Sequence, residues 1–135
     1  MAYAAGFRPL MRPGMGEPPF EYRQLTDGEA SALGEGLVET SGKLTKTAAT
    51  VKPQFIAMKT AAIATPGAII PVIRVDAVEK WTTQSMATVA VTLKGAKVTI
   101  HTDGLLVTAT TSGGVFEIDD TDGTTTTSNV TGRFV

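Results

Sequence analysis

Apolar and polar side chains alternate in short runs along most of this chain, and glycine, proline or small polar residues separate one run from the next. A period of two is the mark of strands that hold one face against a core. The runs predict strands at about residues 35–40, 43–48 and 54–59, with Ser41-Gly42 as the turn of the first hairpin. Ala68 to Asp76 (AIIPVIRVD) is the most apolar stretch. Its β-branched residues predict a buried strand, and Pro71, which cannot donate to a ladder, predicts that this strand lies at a sheet edge or carries a bulge. Val78 to Thr83, Thr88 to Leu93, Lys97 to His101, Leu105 to Thr110, Val115 to Ile118 and Val130 to Val135 continue the pattern, and Asp103-Gly104 is a two-residue hairpin signal. A helix start is legible only in Leu25 to Ala32, where Thr26 or Asp27 can cap a single turn. The chain therefore reads as all-β, a small β-barrel or β-sandwich.

The order of runs is written twice. Residues 33–58 (LGEGLVETSGKLTKTAATVKPQFIAM) find an echo in 93–119 (LKGAKVTIHTDGLLVTATTSGGVFEID). Leu33 aligns with Leu93, Val38 with Val98, Gly42-Lys43-Leu44 with Gly104-Leu105-Leu106 after a two-residue insertion, and Phe55 with Phe116. A hairpin followed by a third strand, repeated at a period of about sixty residues, suggests two related halves.

Residues 1–22 follow different rules. Pro9, Pro13, Pro18 and Pro19 together with Gly6, Gly14 and Gly16 exclude a helix or a central strand through MRPGMGEPPF. Tyr3, Phe7, Leu10, Met11, Met15, Phe20 and Tyr22 make the stretch too apolar for a solvated linker. It reads as an extended N-terminal arm, residues 1–22, joined to a β-rich domain of residues 23–135. Such an arm lies either on its own domain or on a partner. On a partner, Phe7, Leu10, Phe20 and Tyr22 are the expected anchors, with Arg8, Arg12 and Arg23 meeting acidic or carbonyl groups.

Composition narrows the function. The 135 residues are enough for one domain, and 12 basic against 13 acidic side chains leave a net charge of -1. That balance offers no electrostatic case for nucleic acid or an anionic membrane. With no cysteine, disulfides and thiolate chemistry are excluded. No run is apolar enough for a membrane-spanning helix, and the opening lacks the basic and apolar regions of a secretory signal, so a soluble chain made in the cytoplasm is expected.

Candidate chemistry is sparse. His101 is the only histidine, in an alternating strand beside a turn. No serine elbow or phosphate-binding glycine loop is present. Asp119-Asp120-Thr121-Asp122-Gly123 faintly has the spacing of a calcium loop, but threonines stand where a bidentate glutamate would close it. Glu17, Glu21, Glu29, Glu35 and Glu39 carry no sign of pairing in an apolar cleft. Neither catalysis, a cofactor nor a metal is expected. The polar run DDTDGTTTTSN reads as a surface loop or a twisted hairpin.

Gly36, Leu37, Val38, Gly42, Leu44, Ala48, Ala49, Phe55, Ile56, Ala57 and Val72 to Val75 fall in an order that resembles the small capsid decoration (cement) proteins of tailed bacteriophages. The resemblance covers about residues 30–76. It implies a virion protein on the capsid exterior that binds the major capsid protein, stabilises contacts between shell subunits, and assembles as a homo-oligomer, with a trimer favoured. Two other readings stay open. One is a glycan- or receptor-binding module of an appendage, with Trp81 and Tyr22 as stacking platforms and calcium at Asp119–Asp122. The other is a tail or head-completion component. Trp81, the only tryptophan, belongs either to the core or to a subunit interface.

Overall fold

A computed structural model describes residues 5–10, 18–76, 78–125 and 127–135. Among the described residues ten strands follow one another: β1 (Arg8–Pro9), β2 (Glu21–Gln24), β3 (Gly36–Thr40), β4 (Lys43–Lys46), β5 (Phe55–Ala57), β6 (Ile69–Arg74), β7 (Trp81–Gln84), β8 (Lys97–Val98), β9 (Phe116–Thr121) and β10 (Asn129–Phe134). They form two antiparallel five-stranded sheets, ordered β2-β6-β5-β3-β4 and β1-β7-β10-β9-β8. The sheets pack together as a small β-sandwich.

Each sheet is one copy of the same plan, and the copies are longer than the sequence echo. Glu21 faces Val72 and Gln24 faces Ile69 in the first, while Trp81 faces Gly132 and Gln84 faces Asn129 in the second, so strands lie 60 residues apart in the same register. Leu37 faces Phe55 as Val98 faces Phe116. Both sheets even curl to the same bridge. Leu25 meets Leu44 and Ser85 meets Val107 in parallel, with Thr26 N–H donating to Leu44 O and Met86 N–H to Val107 O, each at 2.9 Å.

This register corrects the sequence alignment by one residue at each of two places: Leu37, not Val38, is the counterpart of Val98, and Val107, not Leu106, is the counterpart of Leu44. Pleating explains it. Leu37 is fully buried and Val38 is not, and a one-residue slip would turn the matching side chain to the opposite face. The hairpins differ as well. Ser41 and Gly42, at φ 52° and 82°, make a two-residue turn. In the second copy His101 N–H reaches Leu106 O, so Thr102–Leu105 make a longer turn, and Asp103 Oδ1 accepts from the N–H groups of Leu105 and Leu106.

Other expectations give way to packing. Residues 88–93 alternate, yet Val91–Leu93 form a 3-10 turn and Val91 is exposed, because its neighbours offer no ladder partner there. Leu25–Ala32 contains no helix; Leu25 is drawn into the core and Glu29 N–H closes a turn on Thr26 O. Pro71 lies in the second strand from the edge of its sheet, with no register shift. It is tolerated because β5 ends at Ala57, opposite Val72, and the next residue, Met58, bonds to Pro71 through its own N–H and the proline carbonyl at 2.9 Å, which needs no N–H from Pro71. DDTDGTTTTSN is partly ladder: β9 continues to Thr121 and pairs with β10, whose register shifts at Thr131/Gly132.

The boundary expected after residue 22 falls inside β2, and the described part of the arm is structural. Arg8 and Pro9 pair with Thr82 and Trp81. Phe7 is fully buried, its ring 4.9 Å from Phe134 and 5.5 Å from Phe116. Phe7 N–H donates to Gly34 O in the first copy, and Gly6 N–H donates to Leu105 O in the second, so this short strand is pinned to both. Gly34 has φ +88°, and a Cβ there would sit 2.7 Å from Gly6 Cα, which only glycine allows.

Two clusters make the core. Leu25, Leu37, Leu44, Phe55, Ala57, Ile70 and Val72 fill the first copy. Val98, Val107, Phe116, Ile118 and Val130 fill corresponding places in the second, enlarged by Trp81, Phe134, Ile100 and Phe7. Ile56 and Ile73 project from the opposite face of the first sheet into this second cluster and join the two layers.

Candidate docking surface

The superposable registers allow position-by-position comparison, and two sets of positions differ in kind. The first set lies on the inward face at the open end of each sheet. Where the second copy has Trp81, Phe134 and Ile100, the first has Glu21, Arg74 and Glu39. Arg23 Nη1 lies 2.6 Å from Glu39 Oε2 and its Nη2 3.2 Å from Glu21 Oε1. Arg74 grips Glu21 with Nε and Nη2, both at 2.9 Å. The two guanidinium groups cover the Phe55 ring at 4.9 and 4.8 Å from its centroid. Hydrogen bonding from Arg74 holds the Glu21 carboxyl below its ordinary range, and the same bond holds the Arg74 guanidinium above its own. A hydrophobic plug in one copy is a salt-bridged lid in the other.

The second set lies on the outward face. Alternation along β2 and β6 turns Tyr22, Ile69 and Pro71 outward, and Tyr22 and Ile69 are 71% and 65% exposed. Their counterparts in the second copy are Thr82, Asn129 and Thr131. Phe20, just before β2, is 51% exposed. The first copy thus presents an apolar strip where the second presents hydroxyls and an amide. β2 is also the outer strand of its sheet, and among the described residues no strand pairs with its far side.

The expected partner-binding residues therefore separate. Phe20 and Tyr22 come together on this strip, and Arg23 lies on the reverse face of the same strand, in the ion network. Phe7 is not available to a partner, because the chain's own core takes its ring. Trp81 is fully buried too, which places the indole in the core and removes it from a subunit interface. Arg8 is half-buried, with Nη1 donating to Leu33 O, and Leu10 is exposed while its N–H holds Lys80 O. Arg12 lies outside the described residues. Ile69 and Pro71 were missed as surface residues, because β6 is apolar on both faces and its sequence does not show where cover ends. Ile73, on the same outward face, lies under the second sheet, and Ile69 lies beyond it.

The residues with candidate chemistry have other partners. Asp119 pairs with Lys80 and Asp120 with Lys94, while Asp122 accepts from Thr124 N–H and from the backbone and side chain of Asn129. Among the described residues no cluster of carboxylates or histidine is arranged for a metal ion. His101 serves the second hairpin through its backbone. One titratable group is unusual. Glu35 is buried just before β3, its Oε2 accepting from Ala32 N–H at 3.3 Å and its Oε1 unpartnered. Burial pushes its pKa up to about 7. It stands where the copies meet, beside Gly104, whose carbonyl accepts from Gly36 N–H. No family model, curated protein or solved structure matches this chain.

Proposed function

We propose that the protein is a non-enzymatic structural module that decorates the outside of an assembled bacteriophage head, binds the major capsid protein and reinforces contacts between shell subunits. The observation that carries this reading is the apolar strip of Phe20 and Tyr22 at the outer strand with Ile69 and Pro71 on the strand beside it, set against the polar surface at the equivalent positions of the second sheet. Exposed aromatic and aliphatic side chains on a rigid sheet are good anchors, since burying them costs little further ordering. The resemblance of residues 30–76 to cement proteins supplies the partner, and a near-neutral surface suits copies packed closely on a lattice. Weak docking repeated over many sites stabilises a shell through avidity. Assembly as a small homo-oligomer, a trimer by the same resemblance, belongs to this proposal.

The appendage reading loses ground because Trp81 is in the core and offers no stacking platform. The first test is the copy number in purified particles, by quantitative mass spectrometry against the major shell protein. A number comparable to the shell subunit supports decoration of the whole lattice. A handful of copies per particle moves the protein to a tail, portal or fibre.

A further inference from the structure

The duplication shows what the outer edge of β2 can accept. In the second sheet the equivalent strand, β7, is not an edge: β1 lies against it, antiparallel, with Arg8 opposite Thr82 and Leu10 N–H bonded to Lys80 O. Sixty residues earlier, Tyr22 and Phe20 hold the places of Thr82 and Lys80. Leu25 N–H is bonded to Ala68 O inside the sheet, so by antiparallel alternation the N–H and C=O of Tyr22 point away from β6. Both seams are closed at one end by the same parallel bridge, and only the second is occupied by a described strand, beside Lys80, Trp81 and Thr82.

We infer that the β2 seam receives an extended strand of the protein on which this chain docks, running antiparallel to β2 as β1 runs to β7. This deepens the docking reading and rests on it. The lining dictates the incoming chemistry. On the outward side an apolar residue opposite Tyr22 meets Tyr22 and Ile69, where β1 places Arg8 beside Thr82. On the inward side the visitor meets Glu21 and Arg23 where Phe7 meets an aromatic core, so its flanking residues are short and polar, such as Ser or Thr. Main-chain hydrogen bonds supply affinity, and this polar-apolar-polar alternation supplies selection.

The test uses the full chain bound to shells that have been stripped of it, with amide exchange followed in peptides spanning Phe20–Gln24. Strand addition slows exchange of the Tyr22 amide on binding. Tyr22→Pro, which removes that outward donor without touching the β2–β6 ladder, then binds at least tenfold more weakly than Tyr22→Thr. Binding with no protection at Tyr22, and with equal affinity for the two variants, overturns the strand inference and leaves the docking reading in place. If the chain does not bind shells, the docking reading fails. The seam is then judged with the peptide Thr-Ser-Val-Ser-Thr fused through a flexible Gly/Ser linker to the C-terminus: protection of the Tyr22 amide sustains strand acceptance, and its absence overturns it. Concentration-dependent protection of Tyr22 in the chain alone assigns the seam to a second copy and overturns the inference.

Discussion

The two sheets share a plan and differ in how their open ends are finished. The second copy closes with aromatic rings and borrows Phe7 from the start of the chain, while the first closes with arginine–glutamate pairs over Phe55. A buried aromatic plug needs an extra strand to cover it. A charged lid stays in water and leaves the strand position beside it vacant among the described residues. Equivalent backbone positions have thus been turned to stability in one half and to an accessible edge in the other.

The sharpest way to break the comparison is to remove the borrowed ring. Phe7→Ala should cost about 3–5 kcal/mol, because it opens a cavity against Phe116 and Phe134, and chemical denaturation measures it. Deleting residues 1–22 should destabilise the second sheet for the same reason. Retained stability in either variant would return the arm to the role of a detachable partner-binding segment.

Next in size is the junction between copies. Glu35 binds its proton more tightly when folded, with its pKa raised from 4.5 to about 7. Its contribution is fully present below the unfolded value and is lost as pH rises towards the folded one. Stability should fall between about pH 4.5 and 7, by at most about 3 kcal/mol, and level off above. Glu35→Gln should remove that slope and be the more stable protein at pH 8; urea melts across the range decide it.

The outward strip is the reverse case. Tyr22→Thr with Ile69→Asn copies the second half's polar residues onto the first, so stability should stay within about 0.5 kcal/mol. Shell affinity should drop tenfold or more, about 1.4 kcal/mol, in a sedimentation binding assay. Smallest is the lid. Arg74→Gln loosens an exposed pair and should cost less than about 1 kcal/mol, and the cost should shrink further in high salt.

Much of the fold is legible in the sequence because period two states which face of a strand is buried. The first hairpin and the Phe55 and Phe116 strands follow from it, as does the recurrence of one order of runs, which the two sheets repeat in their registers. What alternation cannot report is whether a partner strand is present. Residues 88–93 alternate and form a 3-10 turn at their end, and AIIPVIRVD is apolar on both faces although only part of it is covered. The copies also diverge most where they matter. Glu21 and Trp81, or Arg74 and Phe134, share no chemistry, so the repeat fades outside residues 33–58 and 93–119 although its geometry continues. Phe7, Phe20 and Tyr22 read alike in the sequence, and Phe7 differs through ring partners more than a hundred residues away, Phe116 and Phe134.

The double pinning of β1 also sets an order of events during synthesis. Residues 21–75 pair only among themselves within their sheet and can assemble once that stretch has emerged. Phe7 leaves the ribosome well before them, yet its pocket exists only after Phe116 and Phe134 have been made. Phe7 is made before its partners and placed after them, and until then an apolar ring travels uncovered. A chain stalled before β10 leaves that ring without its pocket and is prone to aggregate.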